Sequence, residues 1–357
     1  MSTIFVFLDK KIDRRSRFRY KKIKRHLYGE SIMSFLGNLF SGSAAQQYPD
    51  VQAKIPFEIE GDENDRRRMI ALINRIAENS PTGTDVLTQA AQHCKLVLSA
   101  EQDSVGYASC GDENNPDWRI ALNPTYADDV LTSTLVHESR HICQFANGCD
   151  KYDTGMLDMK SAVMLDRAME ADADSAACMA VLDLAKAGDT KAFEGFESKR
   201  PEVVKAVRDT LTNNPDATRE QLQESAFRGW YDSDRMKTVY ETGYYTDPMN
   251  ASMFTGDMDI WQCDREMSSA LVVKKACLGG YFKTPQDLES GKYADLSPKT
   301  VKTFDKFFAL REMRTGMKPD TSYKELGTHE HVKKAKKTKP SSDLSFLQNL
   351  AQKRGGR

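Results

Sequence analysis

Histidine is scarce in this sequence, and several common functional signatures are missing. Only six histidines occur in 357 residues. The seven cysteines form no C-x-x-C pair, and their odd number without a secretory leader predicts reduced thiols and a cytoplasmic location. We find no glycine-rich phosphate loop and no internal repeat, which disfavours a P-loop nucleotide-binding protein and a repeat protein.

Long hydrophobic runs are missing as well. The apolar stretch at 32–40 is short and interrupted by polar residues and a glycine. A membrane helix needs about twenty apolar residues, and a signal peptide needs a clean cleavage site, so the sequence predicts neither. The segment that begins at Met33 reads like a natural start. We therefore expect the protein to begin at Met1 or at Met33, and in the second case the first basic arm is not part of it.

Charge is distributed unevenly along the chain. Residues 1–30 carry ten Lys and Arg against three acidic residues, and residues 332–357 carry eight against one. Because the whole chain has a net charge of −1, the segment between these basic arms carries a net charge of −15. This pattern predicts an acidic globular body with two solvated, disordered arms, at 1–50 and 321–357. Contact of the arms with nucleic acid or another anionic surface is the alternative.

Two of the six histidines lie in one motif, H-E-x-x-H, formed by His137, Glu138 and His141. On a helix, residues four apart project from the same face, so both imidazoles can reach one cation. The glutamate between them lies beside the open coordination position, where it can act as a base. In the alternative interpretation, both are ordinary helix-face histidines.

The residues around the motif predict an ordered helix over 128–145. Apolar residues recur at helical rather than alternating spacing. Asp128 and Asp129 are expected to cap the helix and complement its dipole, and Asn147 and Gly148 are expected to end it.

A catalytic zinc site usually takes three protein ligands, so a third is needed. Gln144 and Asn147 stand where the metzincin pattern requires glycine and histidine, which disfavours that class. The next acidic helical cluster contains Glu170, Asp172 and Asp174. Residues 170 and 174 share a helix face, so the first is predicted to bind the metal and the second to orient a ligating histidine. In the alternative, Glu170 is a surface charge and one of the two aspartates is the ligand.

With H-E-x-x-H on one helix and E-x-x-x-D on the next, the chain resembles the gluzincin type of zincin metallopeptidase. It is most similar to small bacterial metallopeptidase families and also resembles the peptidase core of the phage-repressor-cleaving ImmA/IrrE group. The resemblance covers roughly residues 65–190. It implies an α+β zincin-like core at 51–190, with a small antiparallel or mixed sheet, and Zn²⁺ as the cofactor, although another divalent metal is also compatible with the sequence.

The elements before the motif fit the order of a zincin core. Residues 68–77 have helical apolar spacing, and 94–100, 104–109 and 118–123 are predicted strands. We expect a meander whose last strand leads into the histidine helix and binds peptide by strand addition.

The second half is predicted to be mainly helical. Helices are expected at 201–211, 218–230, 234–240, 263–277 and 297–313, with turns at 214–215, 247–248 and 279–280. This subdomain, 191–320, is expected either to complete the cleft and set specificity or to bind a partner.

Together these features predict a cytoplasmic zinc peptidase that acts on a peptide or protein substrate. Glu138 is the predicted general base. An oxyanion stabiliser is also expected, with four tyrosines as candidates that the sequence does not separate: Tyr231, Tyr240, Tyr244 and Tyr245. The alternative function is a catalytically silent zincin scaffold that binds protein or nucleic acid through its basic ends.

Overall fold

A computed structural model describes residues 48–100, 104–111, 117–152 and 154–329. Apart from residues 48–50 and 321–329, the two predicted basic arms lie outside the described residues. The fold is mixed α+β, with a small four-stranded mixed sheet and a large helical part, which confirms the predicted class at this level. No helix in the described part of the chain is both long and apolar enough to cross a membrane.

Four short strands form the sheet in the order β1-β2-β4-β3. β1 and β2 are parallel, β2 and β4 are parallel, and β3 is antiparallel to β4. Because parallel neighbours need a crossover, two helices, α1 and α2, connect β1 to β2. The bounds are β1 Glu58–Glu60, α1 Glu63–Asn79, α2 Pro81–Ala90, β2 Cys94–Leu98, β3 Gly106–Ser109 and β4 Trp118–Leu122.

The predicted meander is wrong. β4 lies between β2 and β3, and its Ile120 pairs with Leu96 on one side and with Ala108 on the other. Three successive residues of β4 are buried, as is typical of a strand covered on both faces, whereas β3 alternates between buried and half-buried residues. The last strand before the histidine helix is therefore central, and strand addition to it is excluded. The two edges of the sheet are β1 and β3, and β3 is the edge strand next to β4.

The two predicted site helices are present. α3 (Asp128–Ala146) carries the H-E-x-x-H motif, and α4 (Met159–Lys186) carries the acidic cluster. α3 ends as predicted, with Asn147 at the cap and Gly148 in the left-handed region at φ 93°. Nearly every side chain of α4 is buried, so this helix forms the centre of the molecule.

The predicted caps of α3 are wrong. Ala127 occupies the cap position without a side-chain hydrogen bond. Asp128 instead accepts a hydrogen bond from Arg68 Nε at 2.9 Å, and Asp129 accepts one from Arg75 Nη2 at 2.8 Å. Both arginines belong to α1, so the two aspartates attach the start of the motif helix to α1.

Seven α-helices follow α4 within the described residues. Two of them, α5 and α9, were not predicted, and α10 is shorter than the predicted 263–277. Residue 263 has a positive φ of 53°, and Ser268 caps the helix, so the chain becomes helical only after it. Pro248 lies in the first turn of α9, where proline is tolerated, so the predicted turn there is wrong. A π-helical turn, Thr242–Thr246, joins α8 to α9. The bounds are α5 Lys191–Lys199, α6 Pro201–Asn213, α7 Arg219–Trp230, α8 Asp234–Glu241, α9 Asp247–Thr255, α10 Ser269–Ala276 and α11 Pro298–Thr315.

Candidate metal centre

Helices α3 and α4 bring three of the predicted site residues to one buried point. The Nε2 atoms of His137 and His141 lie 3.1 Å apart. Glu170 Oε2 lies 3.4 Å from His137 Nε2, and Glu170 Oε1 lies 3.6 Å from His141 Nε2. All three side chains are buried. Glu170 therefore lies across from the histidines, where the sequence placed the third ligand.

The hydrogen bonds on the far side of each imidazole determine where its hydrogen lies. His137 Nδ1 is 2.9 Å from Asp174 Oδ1, and His141 Nδ1 is 2.7 Å from Gln144 Oε1. Both partners are acceptors, so both Nδ1 atoms carry the hydrogen. If both imidazoles are neutral, the two Nε2 lone pairs face each other across 3.1 Å, with carboxylate oxygens beside them. Acceptors this close need a proton or a metal cation between them, and in the metal-free protein the raised pKa of His137 supplies the proton.

The distances suit a four-coordinate metal ion such as zinc. A tetrahedral ion with ligand bonds of about 2.0–2.1 Å has its ligand atoms about 3.3 Å apart. The two histidine nitrogens are 3.1 Å apart, and each lies 3.4 or 3.6 Å from a different Glu170 oxygen, so all three separations are close to this value. Two imidazoles and one carboxylate are also the ligand types of catalytic zinc sites.

A second carboxylate, Glu138, competes for the third-ligand position. Like the Glu170 oxygens, its oxygens lie near the histidines. One potential ligand atom each from His137, Glu138 and His141 lies within 4.8 Å of the other two. Both Glu138 oxygens are buried and have no hydrogen-bond partner in the described part of the chain. Glu170 Oε2 is also unpartnered, but Oε1 accepts a hydrogen bond from Tyr244.

The environments of the two carboxylates push their pKa values apart. Burial raises the pKa of Glu138, and the two histidines only partly offset that effect. Burial would also raise the pKa of Glu170, but the imidazoles, His141 first, lower it below its usual range. Glu170 therefore holds a negative charge, whereas Glu138 can more readily take a proton. Such a split is typical of two carboxylates with different roles.

Asp174 lies behind His137, where the sequence placed it. One of its oxygens faces His137 Nδ1, and the other accepts a charge-assisted hydrogen bond from Arg200 Nε. Burial would raise the pKa of Asp174, but Arg200 and His137 lower it. Burial lowers the pKa of His137, but Asp174, together with Glu170 and Glu138, outweighs that effect and raises the pKa to about 10.

The structure separates the four candidate tyrosines. The Tyr244 hydroxyl donates to Glu170 Oε1 at 2.6 Å from within the π-helical turn, a type of distortion that is frequent at functional sites. The Tyr245 hydroxyl donates to Asp166 at 2.6 Å. The hydroxyls of Tyr231 and Tyr240 are buried and have no hydrogen-bond partner among the described residues.

Of these two unpaired tyrosines, only Tyr240 lies at the metal centre. Its ring stacks on that of Tyr244 with 5.9 Å between centroids. Burial and the charge of Glu170 raise its pKa well above the usual value, so the hydroxyl stays protonated and can donate.

Sequence analysis missed Arg200 and the role of Gln144. Arg200 lies 26 residues from its partner, and no local pattern points to it. Gln144 is three residues after His141 on the same helix face, so the spacing could have indicated that contact. Asp172, one of the two alternative ligands, points away from the histidines and accepts a hydrogen bond from Arg140 Nε at 2.6 Å.

An H-E-x-x-H helix whose histidines face a glutamate on a neighbouring helix is the kind of site found in metallopeptidases. Residues 44–258 match the family described as "Putative metallopeptidase family (DUF6782)". Because the match covers more than half of the 357 residues, the chain belongs to this family. The motif and Glu170 lie within the matched region. No curated protein and no solved structure matches the chain.

Proposed function

We propose that this protein is a zinc-dependent peptidase of the gluzincin type. His137, His141 and Glu170 would hold the metal, Glu138 would act as the general base, and Asp174 would orient His137. The observation that carries this proposal is the buried cluster of ligand atoms: two Nε2 atoms 3.1 Å apart, with one Glu170 oxygen 3.4 Å from the first and the other 3.6 Å from the second. Both Glu138 oxygens are buried beside it without a hydrogen-bond partner in the described part of the chain. Family membership supports the class of reaction.

In such a site, zinc supplies Lewis acidity that lowers the pKa of a water molecule and polarises a carbonyl group. Glu138 accepts the proton of the attacking water on a carboxylate oxygen and delivers it to the nitrogen of the departing amine. Burial raises the pKa of Glu138, which is the direction of shift that favours a carboxylate acting as a general acid–base group. Hydrolysis of the amide bond then proceeds with no net gain or loss of protons by the enzyme.

Tyr240 is the proposed oxyanion stabiliser. Its buried hydroxyl makes no well-aligned hydrogen bond in the described part of the chain, although it lies close enough to Glu170 for that carboxylate to act on it as a hydrogen-bond partner. A donor that is already in place needs little reorganisation when negative charge develops on the carbonyl oxygen. Tyr244 is the weaker candidate because its hydroxyl already donates a well-aligned hydrogen bond of 2.6 Å to Glu170.

The proposed substrate is an extended peptide segment that adds to β3. This strand lies at the edge of the sheet and packs closely on the motif helix: a Cβ on Gly106 would lie 2.7 Å from Thr134 Cγ2. Thr134 is three residues before His137, so β3 passes within one helical turn of a proposed metal ligand. A peptide paired with β3 would therefore run past the metal centre.

Elemental analysis and peptide hydrolysis test the proposal together. Protein purified without added metal is expected to contain about one zinc per chain, and His137→Ala and Glu170→Gln are expected to lose it. Glu138→Gln is expected to keep the zinc and to lower hydrolysis of a casein-type substrate about 100- to 10,000-fold. His93→Ala, at an exposed histidine whose ring lies 5.7 Å from that of Trp118, serves as the matched control and should keep both properties.

Two results would contradict the proposal in different ways. A folded wild-type protein that takes up no zinc when zinc is supplied excludes the metal centre. Zinc retained in Glu170→Gln but lost from Glu138→Gln would assign the third ligand to Glu138 and remove the proposed base.

A further inference from the structure

Gln144 has an unusually complete set of contacts for an uncharged side chain. It is fully buried on α3, one turn after His141. Its Oε1 lies 2.7 Å from His141 Nδ1. Its Nε2 lies 3.0 Å from Met169 O, 3.0 Å from Asp172 Oδ2 and 3.1 Å from Ala276 O.

These contacts permit only one orientation of the amide. The NH₂ group faces three acceptors: two backbone carbonyls and one carboxylate. Rotating the amide by half a turn would place Oε1 against all three, so that acceptors would face acceptors in a buried site. The oxygen must therefore face His141 Nδ1, and that nitrogen must carry a hydrogen.

We propose that Gln144 is a positioning residue that holds His141 as the Nδ1–H tautomer, so that Nε2 is available to the metal. The proposal rests on the proposed zinc site. A neutral amide does for His141 what the Asp174 carboxylate does for His137, but without adding a charge. Coupling of this kind between a ligating histidine and its hydrogen-bond partner affects metal affinity strongly.

The contacts of Gln144 also join the metal centre to a part of the chain beyond the family match, which ends at residue 258. Ala276, the last residue of α10, supplies one of the three acceptors. Asp172, a second acceptor, is held by Tyr281, whose hydroxyl donates to it at 2.8 Å. The chain after residue 258 therefore takes part in fixing the orientation of the glutamine.

A neighbouring residue provides a matched control. Asn147 lies three residues after Gln144 and donates through Nδ2 to Lys274 O at 3.0 Å and to Lys275 O at 2.8 Å. Like Gln144, it binds carbonyl groups of α10, but its bonds go to none of the histidines. An effect that comes only from joining α3 to α10 should therefore appear in variants of both residues.

The test uses zinc-loaded, full-length protein with ¹⁵N-labelled histidine, and it has two readouts. The first is the long-range ¹H–¹⁵N spectrum of the histidine rings, which shows which nitrogen is protonated and which binds metal. The second is the rate at which zinc passes to a chelator. The wild-type protein should show a protonated Nδ1 on His141.

Two substitutions separate the acceptor role of Gln144 from its donor role. Gln144→Met should weaken or abolish the Nδ1–H signal of His141 and speed zinc loss about 10- to 100-fold. Gln144→Glu retains an acceptor for His141, so it should keep that signal while lowering stability, because its second oxygen faces three acceptors. Asn147→Ala should leave both the signal and the zinc rate as in the wild type.

Several results would overturn the inference. The wild-type spectrum alone does so if zinc is found on His141 Nδ1, even if the methionine variant does not fold. The inference is also overturned if Gln144→Met behaves like the wild type in both readouts. It is overturned as well if Asn147→Ala speeds zinc loss as much as Gln144→Met does. If the wild-type histidine signals do not move when zinc is added, the proposed zinc site itself has failed, whereas the other outcomes leave that site intact.

Discussion

The ion pair between Arg140 and Asp172 should carry a large share of the stability around the metal centre. Asp172 accepts hydrogen bonds from Arg140 Nε at 2.6 Å, Arg140 Nη2 at 3.1 Å, Gln144 Nε2 at 3.0 Å and Tyr281 Oη at 2.8 Å. The side chain of Arg140 is 7% exposed and that of Asp172 is 0% exposed. The guanidinium also donates to Leu278 O. No solvent is therefore available to take over if one partner is lost.

Asp172→Asn should lower the free energy of unfolding by about 3–5 kcal/mol. The substitution keeps the shape of the side chain but leaves the Arg140 charge buried without a counter-ion, and breaking one side of a buried pair costs that much. In either orientation the new NH₂ group would face a donor, because Arg140 Nε and Gln144 Nε2 contact one carboxylate oxygen and Arg140 Nη2 contacts the other. We expect a value near the lower end, because Asn retains one acceptor for the guanidinium.

Urea denaturation of metal-free protein in EDTA measures this loss without a contribution from bound metal. Asp209→Asn, in the exposed pair with Lys205, is the control and should leave the midpoint unchanged. The double variant Arg140→Met, Asp172→Leu removes both charges and should be more stable than Asp172→Asn. A loss below about 1 kcal/mol in Asp172→Asn would refute the reasoning, because the buried arginine would then need no counter-ion.

Four further predictions follow from the geometry. Tyr240→Phe should lower kcat about 100- to 1000-fold with zinc retained, as measured by steady-state hydrolysis and metal analysis. Asp174→Asn should weaken zinc binding about 10- to 100-fold in competition with a chelator. Because the pKa of His137 is raised from 6.5 to about 10, zinc must displace a proton from this histidine at pH 7. The apparent affinity of the protein for zinc should therefore rise with pH up to about 10. Calorimetry in buffers of different ionisation enthalpy should detect the released proton. A chain ending at residue 258 should lose its cooperative unfolding transition in circular dichroism, because α3 binds carbonyls of α10.

Both site helices could be predicted because their signals are local. The spacing of His137, Glu138 and His141 sets the face of α3, and Gly148 ends the helix in a backbone conformation that suits glycine. The spacing of Glu170 and Asp174 places both on one face of α4. The spacing of residues along a helix determines which side chains share a face. These residues therefore come together once the two helices pack against each other.

The sheet order could not be predicted, because strand pairing depends on distant partners. The three predicted strands were found, but β1 has only three residues and gives little signal. β1 pairs in parallel with one side of β2, and β4 pairs with the other side of β2. β3 then pairs with the remaining side of β4. The contacts of Arg200, Tyr244 and Tyr281 also depend on packing between distant helices. For these residues a single sequence offers no periodicity or cap from which the contact could be derived.

The distribution of charge around the centre favours a doubly charged ion. Behind His137 lies Asp174, which is paired with Arg200. Behind His141 lies Gln144, and behind Gln144 lies Asp172, which is paired with Arg140. These two supports are electrically neutral, so they orient the imidazoles without adding net charge to the site.

The carboxylates of Glu138 and Glu170 are the charges that those supports leave unpaired. Two buried negative charges beside two neutral imidazoles are unstable by themselves, and the pKa values of the metal-free protein reflect this, because those of His137 and Glu138 are both raised toward the protonated forms. A divalent cation would supply the same compensation in place of protons. Because the arginines neutralise the two aspartates, the ligands and the general base together carry two negative charges, which match a divalent cation, whereas two further unpaired aspartates would exceed its charge.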